Sequence, residues 1–172
     1  IPGRAAELTA AVADISAARP GIASGGLVRL GEHRARQGRA DEARALFEQA
    51  GPGGLVGLGQ LALDDGDPHA AADTAERVLR ALPDEVLLAR LPALELLARA
   101  RASLGERDAA ATALAELKQT VDRLDTPYLR GRARLVTGEL ATSTGDYEAA
   151  QQAFEDAVDC FTAGSAPYET AL

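Results

Sequence analysis

Few residues in this 172-residue chain have the type and spacing that catalysis or metal binding requires. His33 and His69 are the two histidines, and neither has a second histidine or a cysteine at metal-ligand spacing. Cys160, the single cysteine, stands beside Phe161 on a predicted helix with no motif around it. We interpret it as a buried structural thiol rather than a redox sensor, because a sensor needs a lowered thiol pKa.

Two short segments invite comparison with ligand-binding loops. The glycine-rich run 51–59 lacks the Gly-Lys-Ser/Thr ending of a phosphate-binding loop and follows a predicted helix rather than a strand. In the acidic run 64–67, the glycine is out of place for a calcium loop, and no glutamate closes such a loop. We interpret the first run as a helix stop with close packing and the second as a solvated turn that caps a helix.

No other residues point to catalysis. The few serines do not lie in a nucleophile elbow, and no pair of carboxylates stands out as an acid and a base. The sequence therefore predicts a protein that is not an enzyme and that has no cofactor and no metal site.

Composition narrows the partners and the compartment. The net charge of −8 disfavours direct contact with nucleic acid, since that contact depends on neutralising phosphates. One cysteine excludes an internal disulfide framework and fits a reducing compartment. The chain has no apolar stretch of about 18 residues and no charged-then-apolar leader, so we expect a cytoplasmic protein without membrane contact.

The elements that position these residues follow from a periodic pattern of small residues. Glycines recur with an alanine five residues later, in the pairs Gly38/Ala43, Gly66/Ala71, Gly105/Ala110 and Gly145/Ala150. Small residues stand seven positions before these glycines, at Gly31, Gly59, Ala98 and Gly138. Nine positions after the glycines stand Phe47, Ala75, Leu114 and Phe154. A fixed period of this kind predicts repeated helical hairpins, in which the glycine ends the first helix in a left-handed conformation.

Acidic residues shortly after these glycines, at Asp41, Asp67, Asp108 and Asp146, are typical of helix starts. The pattern predicts helices over residues 4–18, 22–37, 40–50, 54–65, 68–82, 84–104, 107–124, 127–144 and 147–163, with a stub from 167. Pro92 should kink the 84–104 helix or lie in its first turn. Gly3 fits a fifth copy of the glycine that ends a first helix. We expect one repeat domain over residues 1–172, with about four hairpins and partial repeats at both ends, cut from a larger protein.

The residues Gly31, Gly38, Ala43, Phe47 and Ala50, with weaker copies downstream, resemble the tetratricopeptide repeat (TPR). The last repeat departs from the pattern, since Arg134 and Thr137 stand where the earlier repeats have leucines. The resemblance implies an all-α fold of stacked antiparallel hairpins forming a right-handed superhelix, an α-solenoid. It also implies a module that binds proteins or peptides.

Two runs, Leu94–Gly105 and Gly145–Phe161, are similar to the TPR-like helical arm of MalT/LuxR-type bacterial transcriptional regulators. This resemblance implies a sensing or self-association arm. The alternative is a freestanding scaffold that binds a peptide or partner helix.

The TPR resemblance also implies a concave groove lined by the first helix of each hairpin. The residues that match groove positions are Val28, Glu32, Arg36, Val56, Gln60, Leu63, Asp64, Glu95, Arg99, Arg132, Leu135 and Glu139. A mixed groove of this kind suits a peptide or a helix, with self-association through the repeat ends as a further possibility. The alternative is a merely solvated face. A local concentration of arginines, at positions 99, 101, 130, 132 and 134, either binds anions or pairs with acids such as Glu95 and Glu139, and we favour pairing.

Overall fold

The computed structural model describes residues 20–164, which form eight α-helices and no strand. The helices are α1 (Pro20–Arg36), α2 (Ala40–Gln49), α3 (Leu55–Asp64), α4 (Pro68–Ala81), α5 (Leu87–Ser103), α6 (Arg107–Leu124), α7 (Pro127–Thr144) and α8 (Tyr147–Ala163). The all-α prediction is confirmed, and each observed helix lies within three residues of its predicted ends. Three predictions lie outside the described residues, namely the fifth repeat glycine at Gly3, the helix over 4–18 and the short helix from 167.

The turn glycines adopt the left-handed backbone that the repeated pattern predicts. The φ angles of Gly38, Gly66, Gly105 and Gly145 are 73°, 83°, 75° and 80°. A side chain would strain this conformation, so glycine is the residue that ends these helices at low cost. At the last turn, the N–H groups of Gly145 and Asp146 donate to the carbonyls of Thr142 and Ala141, which closes the end of α7.

The acidic residues after the turns act in two ways. The Asp67 and Asp146 carboxylates accept hydrogen bonds from the Ala70 and Ala149 N–H groups, at 2.9 and 3.1 Å. Asp41 and Asp108 instead lie inside the first turns of α2 and α6, where no side chain caps the helix. Their carboxylates favour these helices only through the positive end of the helix dipole.

Glycines inside the first helices make room for phenylalanines of the second helices. A Cβ added at Gly31 would lie 2.5 Å from Cε1 of Phe47, and one added at Gly138 would lie 2.5 Å from Cε1 of Phe154. These are the same pairs that recur in the sequence pattern. In hairpins α1–α2 and α7–α8, the pattern therefore records a contact in which a missing side chain admits an aromatic ring.

The chain divides into two compact units, an N-terminal unit up to Thr74 and a C-terminal unit from Ala75. The core of the N-terminal unit contains Ala43, Phe47 and Leu61. The core of the C-terminal unit is built on α5, α6 and α7 and contains the buried side chains of Leu91, Leu94, Ala98, Ala113, Leu117, Val121, Ala133 and Val136.

Two irregular segments agree in part with the sequence. Gly51–Gly54 forms a short 3₁₀ turn with Gly54 buried, which is the helix stop that the sequence predicted. Pro92 is the sixth residue of α5 and therefore lies beyond the first turn, inside the helix.

Within residues 20–164, no helix is long and apolar enough to cross a membrane.

Candidate functional site

In the N-terminal unit, the predicted groove residues lie on α1 and α3, which contact each other. Val28 packs against the core, while Val56 and Leu63 are half-buried. Glu32 is exposed and has no ion-pair partner among the described residues. Gln60 donates its amide N–H to Asp64 at 2.9 Å. This face therefore combines accessible aliphatic surface with a carboxylate that forms no ion pair within residues 20–164, and Arg36 is exposed one turn further along α1.

In the C-terminal unit, four predicted groove residues form a chain of ion pairs between α5 and α7. The Glu95 carboxylate, only 5 % exposed, accepts a hydrogen bond from Arg132 and lies 3.9 Å from Arg99. Arg99 in turn donates from Nε and Nη2 to the two oxygens of Glu139, at 2.5 and 3.2 Å. Leu135 is half-buried on α7. The charges on this face satisfy one another.

The charge state of Arg132 within this chain of ion pairs follows from its surroundings. Burial alone would lower the pKa of Arg132, but the Glu95 carboxylate and the Tyr128 hydroxyl more than offset that effect. The pKa of Arg132 is therefore raised, and the guanidinium stays charged. Arg132 donates to the Tyr128 hydroxyl at 3.3 Å, which fixes its head group beside Glu95. Arg132 is therefore a permanent positive charge on this face.

The local concentration of arginines is neutralised inside the protein, as the sequence analysis favoured. Arg134 lies 3.3 Å from Asp156, Arg130 pairs with Asp125, and Arg101 pairs with Glu76 and Glu106. Arg101 lowers the pKa of Glu76, mainly through its hydrogen bond and to a smaller extent through its positive charge. Desolvation of the carboxyl group opposes this shift only in part.

Arg90 is a structural residue that sequence reasoning missed. Its buried guanidinium donates to the carbonyls of Leu79 and Leu82 at 3.1 Å each. It also lies 3.0 Å from Asp84 and 2.8 Å from Glu116. Arg90 therefore closes the C-terminal end of α4 and ties it to α6. The available signal was a charged residue inside the apolar run that begins at Leu87.

The residues first considered for chemistry do not converge. Exposed His33 contacts the Gln37 amide at 2.9 Å, and His69 is exposed in the first turn of α4. Cys160 is half-buried, so the prediction of a buried thiol was wrong in degree, because its side of α8 is only partly covered. Residues 20–164 contain no group of three side chains that could hold a metal ion.

The acidic turn has a structural role in the N-terminal unit. Asp65 pairs with Arg44 at 2.9 Å, while Asp67 caps α4. This arrangement agrees with the interpretation of the run 64–67 as a capping turn.

Together, the glycine turns, the paired helices and the glycine–phenylalanine contacts define a helical-repeat protein. The sequence profile of the tetratricopeptide repeat matches residues 25–49, 52–77 and 132–159, and these segments hold hairpins α1–α2, α3–α4 and α7–α8. The chain therefore contains tetratricopeptide repeats in these three segments. No curated protein matches the sequence significantly. Tetratricopeptide repeats generally mediate binding to proteins or peptides and are generally non-catalytic.

Proposed function

We propose that this chain is a non-catalytic interaction module that binds a peptide or a partner helix on the α1–α3 face of the N-terminal unit. The observation that carries the proposal is the contrast between the two units. On α1 and α3 the predicted groove residues leave aliphatic surface and the Glu32 carboxylate accessible, whereas on α5 and α7 the charges satisfy one another.

The chemistry of the α1–α3 face supports a partner with both apolar and basic groups. Val56 and Leu63 are half-buried, so a partner can remove their remaining apolar surface from water, which contributes about 25 cal/mol for each Å² buried. Glu32 supplies a charge that selects a lysine or arginine beside that apolar contact. The face presents no nucleophile or acid–base pair, so binding is the activity that this geometry supports best.

A peptide library selected on the full chain tests the proposal. Leu63→Glu places a charge in the apolar contact and should weaken the selected peptides about tenfold or more, as expected for an interface anchor. The matched control is Leu88→Glu, because Leu88 is 64 % exposed and lies in the C-terminal unit. Circular dichroism establishes that both variants keep their helices. Selected peptides that bind folded Leu63→Glu as tightly as the unchanged chain would contradict the proposal.

At a finer level, we propose that the chain is the regulatory arm of a MalT/LuxR-type bacterial transcriptional regulator in the cytoplasm. This proposal is supported by the similarity of the runs 94–105 and 145–161 to that class. The alternative is a freestanding scaffold with the same α1–α3 face. The reading frame beyond the codon for Leu172 decides between them. A helix-turn-helix there supports the regulator, and its absence supports the scaffold.

A further inference from the structure

The C-terminal unit contains a groove between α6 and α7 that is separate from the α1–α3 face and from the ion-pair chain on α5 and α7. Its volume is about 540 Å³. Sites for small molecules commonly measure roughly 300–1,000 Å³, so this groove is large enough to hold one. The apolar part of its lining includes Ala110, Ala111, Leu114, Leu140 and Ala141. We call it the α6–α7 groove.

The α6–α7 groove is open because α7 carries short side chains where the preceding first helix, α5, carries long ones. Thr137 and Ala141 line the groove, and forty residues earlier stand Leu97 and Arg101. Leu97 packs against the core, and Arg101 reaches from α5 to pair with Glu76 on α4. Threonine and alanine are too short for these contacts, so the space between α6 and α7 remains. The departure from the repeat pattern at Thr137 therefore helps to form a groove.

The interior of the groove suits an apolar group. Leu114 and Leu140 are half-buried, so a ligand can remove their remaining apolar surface from water. The hydroxyls of Thr137, Ser143 and Thr144 also line the groove, and each donates its proton to a carbonyl of α7 itself, at 2.8, 2.7 and 2.9 Å. Since these protons are already used, the hydroxyls offer no donor to a ligand. The part of the ligand that enters the groove is therefore apolar.

Two opposite charges stand side by side at the rim of the groove. Arg107 and Asp108 are exposed neighbours in the first turn of α6, and both line the groove. Neither side chain forms an ion pair or a hydrogen bond within residues 20–164. The third charge of the lining, Asp146, is already engaged, since it accepts a hydrogen bond from the Ala149 N–H at 3.1 Å. The rim therefore offers one cation and one anion above an apolar surface.

We propose that the α6–α7 groove binds a free apolar α-amino acid. Such a molecule carries a carboxylate and an ammonium group on one carbon, which matches the adjacent charges of Arg107 and Asp108. Its carboxylate pairs with Arg107, its ammonium group pairs with Asp108, and its side chain covers Leu114 and Leu140. Exposed ion pairs contribute little individually, so both charges and the apolar contact act together. The groove is separate from the α1–α3 face, so either proposal can fail alone.

The test is an NMR titration of the full chain with L-phenylalanine, and with L-leucine as a second apolar amino acid. Two matched compounds each lack one charge of phenylalanine, namely 3-phenylpropanoate, without the ammonium group, and 2-phenylethylamine, without the carboxylate. Phenylalanine should shift the amide signals of Leu114 and Leu140. It should bind about two- to fivefold more tightly than either compound, which is the gain expected from one exposed ion pair.

Two variants fill the groove. Thr137→Leu restores the leucine that the three earlier repeats have at this position, and Ala141→Leu fills the space one turn further along α7. Each should weaken phenylalanine binding about tenfold or more, because a filled groove no longer accepts the side chain. The matched control is Thr142→Leu, the same change at an exposed position of α7 outside the lining, which should retain the affinity. Circular dichroism establishes that the variants keep their helices.

One further variant tests the rim. Arg107→Gln should reduce the affinity for phenylalanine to that for 2-phenylethylamine, because both then lack the same ion pair. Arg123→Gln is the matched control, since Arg123 is an exposed arginine of α6 outside the lining. Leu63→Glu should leave phenylalanine binding unchanged, which separates this result from the test of the α1–α3 face.

Several results would overturn the proposal. One is that neither amino acid shifts the groove amides at its solubility limit. Another is equal binding of phenylalanine and the two matched compounds, which would show that the rim charges select nothing. A third is undiminished binding in a folded Thr137→Leu or Ala141→Leu protein, which would place the ligand elsewhere. Equal losses in Arg107→Gln and Arg123→Gln would show an effect of net charge alone.

Discussion

Replacing Gly138 by alanine should destabilise the C-terminal unit, although alanine is the better helix former. The added Cβ would lie 2.5, 2.7 and 2.8 Å from Cε1, Cδ1 and Cζ of Phe154. Non-bonded carbon atoms pack best at about 3.5–4.0 Å, so the ring must move by about 1 Å. Because the glycine is buried in the hairpin, that movement disturbs the contact between α7 and α8.

The magnitude follows from two opposing terms. Overpacking of a well-packed interior costs about 1–3 kcal/mol. The change from glycine to alanine inside a helix returns about 1 kcal/mol. We therefore expect Gly138→Ala to lower the free energy of unfolding by up to about 2 kcal/mol. Gly25→Ala is the matched control, since Gly25 lies inside α1 and the added Cβ would meet no other part of residues 20–164 within 4 Å, and it should stabilise by about 1 kcal/mol.

The third repeat supplies the compensating change. At the positions equivalent to Gly138 and Phe154 it has Ala98 and Leu114, which pack in the same apolar cluster. Phe154→Leu alone should cost about 1 kcal/mol. In the double variant, leucine vacates the space that the new Cβ requires, so we expect a favourable coupling energy of about 2 kcal/mol.

Urea unfolding followed by far-UV circular dichroism measures all four variants. Two results would refute this reasoning. The first is a Gly138→Ala protein that is as stabilised as Gly25→Ala. The second is a double variant whose loss equals the sum of the two single losses.

Three further predictions concern charged groups of the C-terminal unit. Arg132→Met leaves the buried Glu95 carboxylate with one distant partner, so it should lower the free energy of unfolding in urea by about 2 kcal/mol. The exposed Arg130→Met should lower it by about 0.5 kcal/mol or less. Equal losses in the two variants would contradict this prediction. NMR titration should place the pKa of Glu76 below its ordinary 4.5, with the shift removed in Arg101→Met. The stability from that pair is then present above pH 4.5 and is lost as the pH falls through the lowered pKa. The lowered pKa of Lys118 means that its positive charge destabilises the folded state at neutral pH, and that this cost is relieved only as the pH rises towards 10.5. Lys118→Met removes the charge and should therefore raise the melting temperature at neutral pH.

The sequence was sufficient for the helices because their signals are local. A glycine that must adopt a positive φ angle marks each turn, as at Gly105 and Gly145, and both were read correctly. The periodic pairing of Gly138 with Phe154 also reflected a contact inside one hairpin. These features need only short-range geometry, which spacing along the chain records.

The ion-pair chain on α5 and α7 was harder to predict. The sequence favoured pairing of the arginines with Glu95 and Glu139, but spacing does not show which arginine meets which carboxylate. One clue was available, since Arg99 and Glu139 are separated by the 40 residues that also separate Gly105 from Gly145. The role of Arg90 was harder still to predict, because two of its partners are backbone carbonyls. Every residue has a backbone carbonyl, so the residue types in the sequence do not mark these partners.

The buried charge chain makes the C-terminal unit respond to heat and salt differently from the N-terminal unit. The hydration of charged groups becomes less favourable as temperature rises, so desolvating these four side chains costs less in hot solution. Added salt acts in the opposite direction on the exposed part of the chain, because it screens the attraction of Arg99 for Glu139. The apolar core around Phe47 depends on neither effect. The relative stabilities of the two halves of this protein are therefore properties of its growth temperature and ionic strength as well as of its sequence.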